Sequence, residues 1–156
     1  MLAACARGDA SAAVALASRN PGIVASLEAE DPGLLADVAG SGNIDAVRIM
    51  LDLGFNVASR TNRAGSQSDT ALHVAIWRSR HATAKLLIER GAPLEVTNKG
   101  GETPLAHAVR GFTHSEWTAD RSLETISALL AAGAQVDSVK PFPTGNAEVD
   151  RLLRPS

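Results

Sequence analysis

The sequence predicts an all-α solenoid in which helix-turn-helix units stack side by side. Internal repetition is the first observation: residues 70–75 (TALHVA) and 103–108 (TPLAHA) are related by an offset of 33 residues, a period typical of stacked repeats. Composition is the second. Aromatic residues make up only 3% of the chain and hydrophobic residues 45%, and a core of Ala, Leu and Val suits closely packed helices. The 156 residues fit a single domain.

The repetition extends beyond these two segments. Residues 86–92 (LLIERGA) and 128–134 (ALLAAGA) are related by 42 residues, so about nine residues are inserted in the later unit. Upstream, Gly54 precedes Gly91 by 37 residues, which is about four more than the period of 33. The extra residues fall in the polar run 66–69. About four units are therefore predicted, with degenerate first and last members. Their predicted bounds are 1–30, 31–61, 62–97 and 98–137, followed by a truncated C-terminal cap at 138–156.

Unit three carries the clearest local signals. The hydroxyl of Thr70 can cap a helix by accepting from an otherwise unpaired amide. Leu72 and Ala75 then share one face of that helix, since they are three residues apart. We expect the chain to turn near residues 79–80 and a second helix to end at Gly91, where a left-handed conformation is favoured.

The terminal units are predicted from weaker signals. Residues 9–19 are predicted to form a second helix that ends at 20–22 (NPG). Residues 145–153 are again typical of a second helix, but only 12 residues separate Gly145 from Gly133, too few for a finger and a first helix. Repeat stacks need terminal units with a more polar outer face. We therefore interpret the tail as a truncated capping unit.

The repeating unit resembles the ankyrin repeat, whose period is about 33 and whose signature is TPLHxA. Unit three has Ala71 in place of Pro, and unit four has Ala106 in place of His. The resemblance covers nearly the whole chain. It implies hairpin-like fingers between units and a concave surface, built from fingers and first helices, that binds other proteins. It also implies that the ring of His73 hydrogen-bonds neighbouring backbone and ties repeats together.

No motif in the sequence favours catalysis. There is no Gly-x-Ser-x-Gly elbow, no phosphate-binding loop and no close histidine pair of the zinc type. Cys5 has no local activating partner, and we expect it to be a small buried thiol on a helix. We therefore predict no enzyme and no cofactor. A remote alternative is a metal-dependent hydrolase that uses the insertion 112–120, with His107 and His114 beside Glu116 or Asp120.

Charge and hydropathy narrow the class of partner. The formal net charge of −2 gives no electrostatic footprint for nucleic acid. No segment approaches the roughly 20 apolar residues of a membrane span. We expect a protein partner, and basic residues near the fingers favour an acidic one, although a solvated repeat edge is the plain alternative. The predicted contact residues are Arg60, Arg63, Trp77, Arg78, Lys99, Glu102, Arg110 and Trp117.

The two tryptophans are the strongest candidates for anchors, because Trp is enriched at binding hot spots. Trp77 is predicted to close a first helix and point to the concave face. Trp117 lies in the insertion, which could instead fold back on its own repeat. The expected role is that of a scaffold or adaptor, and the alternative is an inhibitor or immunity-type protein that blocks a specific enzyme. Composition favours a bacterial source, and we expect a cytoplasmic monomer.

Overall fold

The computed structural model describes residues 1–63, 68–114 and 122–154. Within these ranges the chain forms ten α-helices and a short 3-10 helix, and the β structure is limited to an isolated bridge between Arg60 and Thr70. The predicted all-α fold is confirmed. The helices are α1 (Leu2–Ala6), α2 (Ala10–Arg19), α3 (Ile23–Glu30), α4 (Leu34–Ser41), α5 (Ile44–Asp52), α6 (Ala71–Trp77), α7 (His81–Glu89), α8 (Pro104–His114), α9 (Glu124–Ala131), the 3-10 helix Val136–Ser138, and α10 (Ala147–Leu153).

Helices α4 to α9 alternate between two layers. Helix α6 packs between α4 and α8, and helix α7 packs between α5 and α9. Each unit therefore supplies a first helix to one layer and a second helix to the other. The outer surface of the first layer is called here the first-helix face. It includes the exposed side chains of Asp37, Trp77, Arg78 and Arg110.

Small side chains and buried leucines fill the space between the layers. Ala75 and Ala84 are fully buried, as are Leu72, Leu87 and Leu105. Alanines let the helix backbones approach, while the leucines fill the remaining volume. This core explains how the chain folds with so few aromatic rings, as its composition predicted.

The fingers are short hairpin-like turns between units. In one finger the Thr61 amide donates to the Asp69 carbonyl at 2.9 Å, and in the next the Asn98 amide donates to the Glu102 carbonyl at 3.0 Å. The second helix of unit three ends at Gly91, whose φ is +80°. A side chain would be strained there, so the predicted left-handed helix end is confirmed.

The segment after Gly22, for which the sequence predicted no particular structure, forms helix α3. Its Leu, Ala and Glu residues favour helix. The carboxylate of Glu28 also accepts from the Asn56 amide at 2.7 Å, which ties α3 to the following finger.

The insertion predicted at 112–120 also starts later than expected. Phe112 and Thr113 continue helix α8, which runs on to His114. Phe112 packs against the core, and the Thr113 hydroxyl donates to the Val109 carbonyl at 2.9 Å. Arg110 was expected just after a first helix, but it lies inside α8. Residues 115–121 lie outside the described ranges.

At the C-terminal end, helix α10 lies where the sequence predicted a helix. Asn146 caps it, accepting from the amides of Glu148 and Val149. The same region exposes 52% of Phe142 and 37% of Leu152, and its role as a cap stays a prediction.

Candidate protein-binding surface

His73 is the buried support of the candidate surface. The side chain is fully buried, and its Nδ1 accepts from the Thr70 amide at 3.3 Å. On the other side of the ring, Nε2 lies 3.1 Å from the carbonyl oxygen of Glu102 in the next unit. A carbonyl only accepts, so Nε2 carries the proton and donates. The bond between units that the resemblance implied for His73 is thus confirmed.

Burial also controls the charge of this ring. Desolvation lowers the pKa of His73 below its ordinary value of 6.5, and the nearby His107 lowers it further. The bond to the Glu102 carbonyl favours the protonated form but does not reverse the shift. His73 therefore remains neutral at pH 7, which suits a ring with one accepting and one donating nitrogen.

Glu102 joins two helices of the candidate surface through both its backbone and its side chain. Its carbonyl receives the bond from His73. Its carboxylate accepts from Nε and Nη2 of Arg110, the latter at 3.0 Å, and from Nδ1 of His107 at 2.8 Å. Burial alone would raise the pKa of Glu102, but the hydrogen bonds from Arg110 and His107 lower it below 4.5. The carboxylate is therefore ionised and holds Arg110 in place.

Trp77 lies on this arrangement with 55% of its surface exposed. Its ring centroid is 5.8 Å from that of His107, and the guanidinium carbon of Arg110 lies 5.9 Å from the Trp77 centroid. That distance is within the range of a cation–π contact. We call Trp77, Glu102, His107 and Arg110 the Trp77 cluster. The indole of Trp77 therefore contacts His107 and Arg110 while more than half of its surface is exposed.

His107 is the member of this cluster that sequence reasoning undervalued. The sequence predicted it on the first helix of unit four and offered it a role only as a remote metal ligand, yet it is buried beneath Trp77 with 6% of its surface exposed. Its Nδ1 donates to the carboxylate of Glu102. Its Nε2 has no hydrogen-bond partner among the described residues. A sequence signal existed, because His107 lies one helical turn before Arg110 on the same helix.

The other predicted contact residues fall into two groups. Arg60 and Arg63 have partners within the chain: Arg60 donates to the Thr97 carbonyl at 2.8 Å, and Arg63 pairs with Asp31 and Asp37 at 2.5 and 2.6 Å. Arg78 and Lys99 are exposed and form no ion pair with the part of the chain that the structure describes.

Two predicted features lie partly outside the described residues. Trp117 falls in the gap after His114, as do Glu116 and Asp120. Across the ranges 1–63, 68–114 and 122–154, no group of three His, Cys, Asp or Glu side chains could hold a metal ion.

Cys5 is buried in α1, as expected, and burial raises the pKa of its thiol. None of the helices in these ranges has the length and apolarity needed to cross a bilayer.

Comparison with known proteins gives the same family as the repeat pattern. The segments 1–98 and 35–140 match the model of a family described as ankyrin repeats in three copies. The chain is 37% identical to human ankyrin repeat and KH domain-containing protein 1 over 45% of its own length and 3% of that protein. It is 28% identical to a putative ankyrin repeat protein of Coxiella burnetii, over 65% of this chain and 38% of the relative.

A further relative is named as a cation channel homolog. The chain is 33% identical to the Caenorhabditis elegans homolog of transient receptor potential cation channel subfamily A member 1, over 62% of its length and 7% of the channel subunit. The chain thus spans less than a tenth of the first curated relatives that it matches.

Proposed function

The chain belongs to the ankyrin-repeat family, and on that premise we propose that it is a non-catalytic protein-binding module, a scaffold or adaptor. Its partner contacts the first helices and the fingers, which form the concave surface expected of such a stack. The observation that carries this proposal is the position of Trp77. This large side chain is 55% exposed and is supported from below by Arg110 and His107.

Energetics favour Trp77 as the anchor. An exposed indole presents a large apolar area to water, and burying such area stabilises a complex by about 25 cal/mol per Å². Ordering a free side chain on binding costs about 0.5–1.5 kcal/mol. Because the ring already rests against His107 and Arg110, less of that entropy is lost when a partner covers it.

Charge favours an acidic partner. Arg78 and Lys99 are exposed and form no ion pair with the described residues, whereas the acids Asp31, Asp37 and Glu102 are all paired. Carboxylates of a partner would therefore meet unpaired cations there. We further propose that the module works as a cytoplasmic monomer, with the lone buried thiol of Cys5 suited to a reducing compartment.

Affinity purification with a matched set of variants tests this proposal. Proteins captured by the wild-type chain are identified by mass spectrometry, and the same capture is repeated with Trp77→Ala and with Lys85→Ala. Lys85 lies on the second helix α7 and pairs with Glu124. A true partner is retained by Lys85→Ala and lost by Trp77→Ala.

The captured partner is then purified and titrated directly. Trp77→Ala is expected to weaken binding by about 2 kcal/mol or more, the scale of a hot-spot residue, with an unchanged circular dichroism spectrum. If binding survives Trp77→Ala and the double change Arg78→Ala/Lys99→Ala, but fails in Lys85→Ala, the partner uses the second-helix side and the proposal is wrong.

A further inference from the structure

A cleft lies beside the Trp77 cluster, between helix α8 and the chain segment that leads to α10. Its volume is 310 Å³. Its lining includes Val109, Arg110, His114, Val139, Lys140 and Pro141, together with Glu102 and three hydroxyl residues. None of the sequence signals pointed to this cleft, because it forms only when the C-terminal segment packs against α8.

The hydroxyl hydrogens in the cleft are already used within the chain. The Thr113 hydroxyl donates to the Val109 carbonyl, the Ser138 hydroxyl to the Gln135 carbonyl, and the Thr144 hydroxyl to the Asp150 carboxylate. The carboxylate of Glu102 is neutralised by Arg110.

Two cations retain free donors. Lys140 is exposed and forms no ion pair with the described part of the chain. Arg110 uses Nε and Nη2 to hold Glu102, which leaves Nη1 without an acceptor among the described residues. The exposed imidazole of His114 lies on the same lining. A ligand that carries a carboxylate would supply the acceptor for these donors.

The floor of the cleft is apolar. Val109 and Val139 are 3% and 5% exposed, and both line the cleft. An aliphatic side chain placed there would remove its apolar surface from water, which favours binding. The cleft is also continuous with the first-helix face, because Arg110 contacts Trp77 on one side and lines the cleft on the other.

We propose that this cleft binds a peptide segment of a partner protein in which an acidic residue stands next to an aliphatic one. The aliphatic side chain occupies the floor, and the carboxylate lies between Lys140 and Arg110. The inference rests on the proposed function, since it names the kind of segment that a protein bound at the first-helix face would insert. It adds Lys140 and the C-terminal segment to the recognition surface.

Fluorescence anisotropy with two synthetic peptides tests the cleft. Both are fluorescein-labelled 12-residue peptides with blocked ends; one alternates Leu with Glu, and its control alternates Leu with Gln. The Glu peptide is expected to bind about tenfold more tightly than the Gln peptide at low salt. The difference should shrink at about 0.5 M salt, because exposed charges are then screened.

Charge reversal locates the contact. Lys140→Glu is expected to weaken binding of the Glu peptide about tenfold, since it places like charges side by side, and to leave binding of the Gln peptide unchanged. Arg19→Glu is the matched control: Arg19 is exposed on α2, and its reversal changes the net charge equally. It should change the affinity less than twofold. Circular dichroism confirms that both variants fold.

The results separate the cleft from the Trp77 anchor. Equal affinity for both peptides, no binding at about 1 mM, or insensitivity to Lys140→Glu overturns the cleft assignment. Binding that is lost in Trp77→Ala but unaffected by Lys140→Glu also overturns the cleft and leaves the first-helix face standing. Binding that is sensitive to Lys140→Glu but not to Trp77→Ala supports the cleft and counts against the Trp77 anchor.

Discussion

Unit three and the N-terminal unit follow a similar helical plan, but their helices are buried to very different extents. Helix α6 buries Ala71, Leu72, His73 and Ala75 within seven residues. Helix α2 buries only Ala13 in ten residues, and α3 buries none of its eight. Val14 on α2 is 50% exposed. The unit that matches the repeat signature is therefore embedded, while the degenerate unit lies on the outside of the stack.

Polar contacts also join neighbouring units. His73 connects unit three to unit four, and Arg80 donates to the Gly40 carbonyl of unit two at 3.1 Å. Unit one is tied to unit two by the Asn43 amide group, which donates to the Ala6 carbonyl at 2.9 Å. That bond and the Arg80 bond are both exposed, so water can replace either of them, whereas the His73 bond is partly buried. A terminal unit has a neighbour on one side only, so its stability depends on fewer interface contacts.

The largest expected effect comes from breaking the embedded unit. Leu72→Ala should lower the free energy of unfolding by about 2–5 kcal/mol, the usual cost of a cavity in a core. Leu27→Ala, at a half-buried position of α3, should cost about 1 kcal/mol because less apolar area is lost. Urea unfolding followed by circular dichroism measures both. Equal losses would show that the N-terminal unit is as well packed as unit three.

An intermediate effect is expected from the bond between units three and four. His73→Ala should destabilise the fold by about 1–3 kcal/mol, because it leaves the Thr70 amide and the Glu102 carbonyl without their partner. His114→Ala is the control, since this exposed histidine should change stability by less than about 0.5 kcal/mol. A neutral His73→Ala variant would contradict the tie between units.

The smallest effect is a pH dependence that distinguishes the two regions, since His73 lies in the embedded one. Its folded pKa is below the ordinary 6.5, so just below pH 6.5 the unfolded chain binds more protons than the folded one. The free energy of unfolding should therefore fall as the pH drops below 6.5 and level off below the folded pKa. The effect of Glu102, whose pKa is lowered from 4.5, appears only in more acidic solution.

Unfolding titrations between pH 5 and pH 8 measure this dependence in the wild-type chain and in His73→Ala. The variant should show a shallower slope just below pH 6.5. Identical slopes would assign the pH dependence to other groups.

Much of this protein follows from its sequence alone. The offset of 33 between residues 70–75 and 103–108 determined the repeat and the all-α class, because a periodic chain repeats one local structure. Thr70 and Gly91 marked helix ends through capping chemistry that acts over a few residues. The placement of Trp77 at the end of a first helix followed from the same register.

Only the tertiary structure decided how charges and rings combine. The sequence grouped Arg63 with the basic contact residues, yet Asp31 and Asp37 of the preceding unit neutralise it. It left the neighbours of His107 undetermined, and packing buried that ring between Glu102 and Trp77. Residues far apart in the chain meet according to how the units stack, and a side chain's partners depend on that geometry. The cleft of Lys140 exists for the same reason, since it needs both α8 and the C-terminal segment in place.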